Sequence, residues 1–318
     1  GQQSNTDFRN RYFNNRPDHG YSMTGKVTYS YSVKRGLFFD FSYKYNRTTS
    51  NRYSSLYRLD QLADWGINSE RELGTLPSVD AYNRVMDIHN SYDSRQTDNT
   101  HTLGAFLVWN KKTTKSEWWA QLVPNLSLLS RTMHYHSGNV DTTFTKRSIL
   151  YNMYSTFIKW RSTDHKYEFM FQYHVNGQAP DMNLFVNILN TTDPLNVTMG
   201  NTNLKPSYKH ELISHFLRIY PKKGLMWLIE AQYIPTVNAI AMGYTYDKAT
   251  GKRTFRPDNV NGNWRGQLAL GGAGPLTKNR KLDFKAMAGL RYEKSVDLIG
   301  LAGMSAANRS IVESLNYV

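Results

Sequence analysis

Between Tyr21 and Val33 the chain alternates, with Tyr21, Met23, Val27, Tyr29, Tyr31 and Val33 on odd positions and Ser22, Thr24, Lys26, Thr28, Ser30 and Ser32 on even ones. Successive side chains of an extended backbone point to opposite faces, so a period of two predicts a strand with one apolar and one polar face. After Lys34-Arg35-Gly36 the pattern restarts, with Leu37, Phe39, Phe41, Tyr43 and Tyr45 opposed by Asp40, Ser42, Lys44 and Asn46. The two segments read as a hairpin joined by a tight basic turn. The same device recurs where Tyr167, Phe169, Phe171, Tyr173 and Val175 oppose Glu168, Gln172 and His174. It recurs again where Phe284, Ala286, Ala288, Leu290 and Tyr292 oppose Asp283, Lys285, Arg291 and Glu293. Weaker versions fall at about 101–110, 117–133, 146–161, 208–220, 225–246, 262–273 and 309–318, which makes about eleven strands.

Several of these patterns run past ten residues, longer than the usual strand of about 5 to 6. Membrane-crossing strands need about 9 to 11. Short basic turns at 34–36, 111–116, 162–166, 221–223 and 274–280 alternate with long polar connections at 54–97, 136–145, 178–206, 247–259 and about 299–308. Short turns at one end and long loops at the other are what a transmembrane barrel shows. A soluble barrel or sandwich also alternates, but buries the apolar face inward, so both architectures stand at this point. In the first long connection, Asp60 to Trp65 predicts a short helix closed by Gly66.

Composition narrows the chemistry. The 318 residues contain no cysteine, which removes disulfides, thiolate metal sites and thiol nucleophiles. The longest apolar runs, such as Leu225 to Ile229, fall far short of the roughly 18 to 20 residues of a membrane helix. Aromatic residues make up 14%, with 22 tyrosines against 14 phenylalanines and 7 tryptophans, a bias expected where rings lie half in an apolar phase and half in water. The net charge of +14 admits nucleic acid, anionic lipid or acidic ligands as partners. Many of the basic residues, among them Lys34, Arg35, Lys111, Lys112, Lys222 and Lys223, sit in the short turns, where they form one wet rim.

No residue constellation supports catalysis or a cofactor. His134 and His136 share a face but lack a third ligand in the sequence pattern, and Gly251-Lys252-Arg253 has the spacing of a hairpin tip rather than a phosphate loop. Nucleophile elbow, HExxH and dinucleotide glycine patterns do not occur. The expectation is a non-enzymatic protein without cofactor or metal.

The stretch from Gln178 onward contains Asp193-Pro194-Leu195 and then Gly200-Asn201-Thr202-Asn203-Leu204-Lys205-Pro206-Ser207-Tyr208. It resembles the DPL…GNPNLKPSY-type stretch of the outer-membrane β-barrel family of TonB-dependent receptors, with Thr202 where proline is usual. Locally, Gly200 is expected at positive φ, Asn201 and Asn203 as turn caps, and Pro206 as the residue that keeps Lys205 extended. The resemblance implies an all-β fold, an antiparallel transmembrane β-barrel of roughly 22 strands in the bacterial outer membrane. Residues 1–318 are then one barrel segment, cut at both ends, holding about eleven strands, with the plug domain and TonB box outside the chain. Loop 178–206 would face the cell exterior and the short turns the periplasm. Tyr29, Phe41, Tyr43, Phe171 and Tyr292 would face lipid. Lys26, Asp40, Lys44, Glu168, Gln172, Asp283, Lys285 and Arg291 would face the lumen. Partners implied are outer-membrane lipid, the TonB complex acting through the plug, a small nutrient ligand and a surface lipoprotein, with no nucleic acid. A passive channel or adhesin barrel is the first alternative, and a soluble basic β-protein that binds nucleic acid the second.

Overall fold

A computed structural model describes residues 11–63, 65, 74–138, 140–186, 195–298 and 309–317. Its strands are β1 (Arg11–Lys34), β2 (Leu37–Arg58), β3 (Tyr92–Lys112), β4 (Ser116–Leu122), β5 (Pro124–Ser137), β6 (Val140–Ser162), β7 (Tyr167–Gln178), β8 (Asn196–Thr198), β9 (Ser207–Tyr220), β10 (Leu225–Val237), β11 (Ala239–Tyr246), β12 (Arg253–Val260), β13 (Asn263–Pro275), β14 (Asp283–Leu298) and β15 (Arg309–Tyr317). Twelve of them form one antiparallel sheet in chain order from β1 to β15, and β8, β11 and β12 form a separate three-stranded sheet. Within the large sheet β4 and β5 lie in line, each bonded to β3 on one side and β6 on the other. They are two halves of one crossing, so the wall has the eleven crossings that periodicity predicts.

The interruption between those halves is built, not frayed. The Val123 N–H donates to Thr156 Oγ1 at 3.1 Å and its carbonyl accepts from the Tyr154 N–H at 3.2 Å. Opposite it β6 bulges at Ser155, which sits at φ 48°. Pro124, which cannot donate to a ladder, stands at this break. Pro17 is accommodated the same way, at a register shift in the edge strand β1.

Strand pairing traces each face across the wall. Trp118, Trp160, Phe169, Phe216, Ile229, Leu270 and Ala288 follow one another in register on a single face. Tyr43, Leu103, Leu126 and Tyr151 form a second such row on that face. These side chains have no partner layer: Val27 is 71% exposed, Ile149 61% and Leu270 57%. On β2 the uninterrupted apolar alternation runs from Leu37 to Tyr45, about nine residues, which suffices for a tilted strand to cross the hydrocarbon of a bilayer, about 25 Å in such walls.

The strands continue well beyond that band. β1, β2, β3 and β6 have 24, 22, 21 and 23 residues, and their extensions lie on the side of the long connections. The 136–145 region, expected as a long loop, is a tight turn at Gly138 between two strands. Its Ser and Thr residues favour a ladder as much as a loop when paired neighbours continue alongside. The segment 54–97 shortens likewise, since Arg58 and Tyr92 still belong to β2 and β3. Of the helix expected over Asp60 to Trp65, the described part is a 3-10 turn at Leu59–Gln61, and Gly66 lies outside the described residues. A short helix, α1 (Val79–Asn83), follows instead, capped by Ser78.

The expected single strand 225–246 breaks at Asn238, at φ 53°, and the returning strand breaks at Gly262, at φ 112°. The Asn238 N–H donates to Asn261 Oδ1 at 2.7 Å, clamping the two breaks together. The hairpin β11–β12 therefore departs from the wall as a unit. Two small buried clusters lie at this same end. One joins Met133, Met182, Phe185, Val186 and Leu204, and the other joins Tyr57, Leu59 and Trp65.

Candidate functional site

All eight residues proposed for the lumen fall on the face opposite the apolar band. Lys26 pairs with Lys44, which pairs with Thr102. Asp40 lies on the same face of β2, two register steps toward the turn. Glu168 pairs with Arg161, Gln172 with Phe157, Lys285 with Ala273, Asp283 with Pro275 and Arg291 with Gln267. The five rings assigned to lipid fall on the other face, in register with its apolar rows.

The eight do not converge on one centre. They are spread from β1 to β14 along the polar face. Glu168 carries the densest cluster: its carboxylate meets Lys159 Nζ at 2.8 Å and Arg161 Nη2 at 2.6 Å, and both cations stand over the Trp119 ring at 5.9 and 5.6 Å. Toward the same turn, Lys112 pairs with Glu117 at 2.6 Å. Arg291 donates to Gln267 Oε1 at 3.1 Å, while Asp40 Oδ1 is buried with no hydrogen bond among the described residues. Lys26 and Lys44 sit directly opposite with no ion pair among the described residues, a repulsive placement that a water-filled interior would screen.

The loop between β7 and β9 is folded onto this polar face. Asp181 caps a 3-10 turn at Met182–Phe185, accepting from the Asn183 N–H at 2.8 Å. Met182 and Phe185 are buried against Met133, which projects from the polar face of β5. Two basic side chains of the wall hold the loop: Arg131 Nη1 donates to the Pro180 carbonyl at 2.6 Å, and Lys146 Nζ donates to the Thr202 carbonyl at 2.7 Å. Arg131 is only 5% exposed and faces the carboxylates of Asp98 and Asp181. Sequence reasoning missed both residues. They lie in one register row with Asp98, but nothing local signals that a loop 49 residues away lands on Arg131.

The signature residues form the seam between this loop and the hairpin β11–β12. β8 pairs in parallel with β12, and the Arg253 N–H donates to the Leu195 carbonyl at 2.7 Å. Asn201 reaches in three directions. Its N–H donates to the Leu184 carbonyl at 2.7 Å, its Nδ2 donates to the Pro257 carbonyl at 2.9 Å, and its Oδ1 accepts from the Asn203 N–H at 2.9 Å. The Lys205 N–H donates to Asn259 Oδ1 at 2.7 Å, and Asn259 Nδ2 returns a bond to the Lys205 carbonyl at 3.0 Å and another to that of Asn238. Leu204 is buried and Pro206 leads into β9. Gly200 has a different reason from the one expected. It is absent from the positive-φ positions; instead, a Cβ there would collide with the backbone of Val186. Asp193 and Pro194 lie outside the described residues.

His134 and His136 share the outward face of β5, but His134 Nδ1 is bonded to Thr143 at 2.8 Å. No group of three His, Asp or Glu able to hold a metal occurs among the described residues. Outside the strands, Asp164 in the turn after β6 has its carboxyl lowered to about 2 by Lys166 and by the Ser162 hydroxyl. In the hairpin tip Asp247 is lowered by bonds from Thr250 and Ala249.

The chain is similar to several solved structures: the outer membrane transporter YddB from Escherichia coli (12% identity, 87% of this chain, 48% of that one, TM-score 0.35), the siderophore receptor PirA from Pseudomonas aeruginosa (10%, 95%, 62%, 0.31) and the copper transporter OprC (9%, 87%, 53%, 0.34). The chain thus spans about half to three-fifths of their lengths. None of the curated proteins matches it. Residues 155–313, half of the chain, match the outer membrane protein beta-barrel family. The chain, an antiparallel wall with an apolar and a polar face, belongs to that family, and its place is the bacterial outer membrane.

Proposed function

We propose that residues 1–318 are one segment of the wall of a large outer-membrane barrel that takes up a small nutrient, with the long connections at the cell surface and the short turns in the periplasm. The observation that carries this reading is the β7–β9 loop, which together with β11–β12 makes a packed unit on the polar face. A loop anchored by Arg131, Lys146 and a buried Met133–Phe185 cluster supports a receptor, which must hold its ligand at the mouth. The polar face, including Lys26, Asp40, Lys44, Glu168, Gln172, Asp283, Lys285 and Arg291, lines the interior. The sheet has β1 and β15 at its ends, and strands beyond this segment pair with them, because lipid tolerates no open edge. Uptake is non-enzymatic and energised by a TonB complex acting through a plug outside the segment, with a surface lipoprotein as a further partner.

Conductance of the full-length protein in planar bilayers tests this. A plugged, energised receptor stays closed until the plug is deleted and then shows large steps. Steady open steps from the intact protein would support the alternative of a passive channel. Orientation is tested separately on intact cells, since the chain has no cysteine. A single cysteine at Thr250, in the hairpin tip, is expected to react with an impermeant thiol reagent, and one at Lys222, in a short turn, is not. Equal labelling would contradict the orientation.

A further inference from the structure

The three-stranded sheet has the order β11–β12–β8 and inverts the usual placement of charge. Its central strand, β12, carries Arg253, Arg256, Pro257 and Asp258, whereas its edge strand, β11, reads Ala-Ile-Ala-Met-Gly-Tyr-Thr-Tyr, with no charge and no proline. Exposed edges are ordinarily blunted by such residues, because unpaired main-chain groups template a further strand. The direction of each group follows from the ladder. The Arg253 N–H donates to the Leu195 carbonyl at 2.7 Å and the Phe255 carbonyl accepts from the Met199 N–H at 2.8 Å, so odd positions of β12 face β8. Thr254, Arg256 and Asp258 then face β11, opposite Thr245, Gly243 and Ala241. By the same alternation Met242, Tyr244 and Tyr246 turn their N–H and C=O groups away from β12, about 6.8 Å apart along the strand, and among the described residues no strand pairs with them. Their side chains are 40, 36 and 53% exposed.

Main-chain donors and acceptors at strand spacing, beside exposed apolar and aromatic side chains, are what an extended peptide recognises when it adds to a sheet. Charge narrows the class. The hairpin holds Lys248, Lys252, Arg253 and Arg256, while its carboxylates are occupied, Asp247 by the Thr250 hydroxyl and the Ala249 N–H and Asp258 by the Asn259 N–H. An acidic strand is therefore favoured over a basic one. The far side of the same sheet is fastened through β8 to the β7–β9 loop, which Arg131 and Lys146 anchor on the polar face. A strand added to β11 thus joins the unit that holds the ligand at the mouth. Three free residues offer few bonds, which suits a ligand released inward more than a permanent protein partner. We propose that the ligand of this receptor is a short acidic peptide, bound in extended form as a fourth strand on β11 along Met242, Tyr244 and Tyr246. The proposal rests on the receptor reading given above.

The test is binding of a fluorescent, end-blocked peptide of alternating valine and glutamate to the full-length protein in mild detergent, read by anisotropy. Two further peptides carry N-methyl groups on one or the other alternate set of residues. Only one set of N–H groups can face β11, so one methylated peptide should bind about tenfold more weakly and the other about as well as the parent. The counterpart with lysine in place of glutamate should be about tenfold weaker. Tyr244→Pro removes the middle donor of the free edge and leaves the ladder to β12, because its N–H points away from that strand, and should cost about tenfold. Unchanged amide exchange over 253–260 checks that the hairpin persists; should it not, Met242→Pro replaces it. In cells, the parent peptide should reach the periplasm, and the proline variant should slow its entry. Equal binding of both methylated peptides, equal loss with both, or no effect of the proline variant with the hairpin intact overturns the proposal. Binding without entry overturns it too, and assigns the edge to a segment of another protein. Failure of the receptor reading would be seen independently, as steady open steps from the intact protein or labelling at Lys222 rather than Thr250.

Discussion

The wall between Leu37 and Tyr45 and the same strand from Arg47 to Arg58 are continuous in backbone and opposite in logic. In the first stretch every second side chain is apolar, and the ladder separates two solvents. In the second the ladder continues unbroken, Arg47 to Asn99 and on to Ser54 with Tyr92, yet Arg47, Thr48, Thr49, Ser50, Asn51 and Arg52 are polar on both faces. Alternation therefore reports not the presence of a strand but the presence of two different media on its two sides. Where water meets both faces, main-chain hydrogen bonds and neighbouring strands maintain the ladder without it.

This comparison can be broken from either side. Phe41→Arg puts a charge near the middle of the lipid face and is expected to cost about 2–4 kcal/mol of folding into bilayers, while Ser42→Arg, one residue on, should lie within about 0.5 kcal/mol. Equilibrium refolding into vesicles measures both, and similar costs would mean the faces are not in different media. Above the band the sensitive positions are those that seat the loop. Gly200→Val drives a side chain into the Val186 backbone and should cost about 2–3 kcal/mol locally, read as faster amide exchange over 195–206 with the wall unaffected. Arg131→Met removes the bond to Pro180 and leaves Asp98 and Asp181 without their buried cation. It should loosen 179–186 by about 2 kcal/mol in the same experiment.

The smallest effect is a pH dependence in the turn after β6. The Asp164 carboxyl titrates near 2 when folded, below its unfolded value of about 3.9, so its contribution is present above about pH 4 and lost as pH falls through about 2. Asp164→Asn should fall slightly below wild type at pH 6 and converge on it as pH drops below about 2 in thermal unfolding. Its exposure keeps the difference small.

The two regions also explain what was legible beforehand. About eleven crossings, the apolar and polar faces of the four clearest, and the short-turn end could be read from period two and turn residues, as Tyr29 to Phe41 and Glu168 to Gln172 show. The extensions of β1, β2, β3 and β6, the tight turn at Gly138 and the β8–β11–β12 sheet could not: stretches such as Arg47 to Arg52 are polar on both faces, and β11, apolar in part, reads as a continuation of β10 until the backbone breaks at Asn238. The signature at Gly200 to Pro206 was visible as a motif, but its reasons were not. Gly200 is required by a chain segment folded over it from Val186, and Asn201 by carbonyls at Leu184 and Pro257, contacts that exist only after the loop and hairpin have met. Arg131 and Lys146 looked like any polar-face cations for the same reason.

The central claim is that β2 crosses from two media into one near Arg47. Single cysteines at each position from Phe38 to Ser54, placed in the otherwise cysteine-free full-length protein in native membranes, test it with a water-soluble thiol reagent. The expected profile alternates, with reaction at Asp40, Ser42 and Lys44 and protection at Phe39, Phe41 and Tyr43, and the alternation then disappears from Arg47 onward. Uniform labelling of the Leu37 to Tyr45 stretch, or protection of the polar positions with reaction at the aromatic ones, would contradict it.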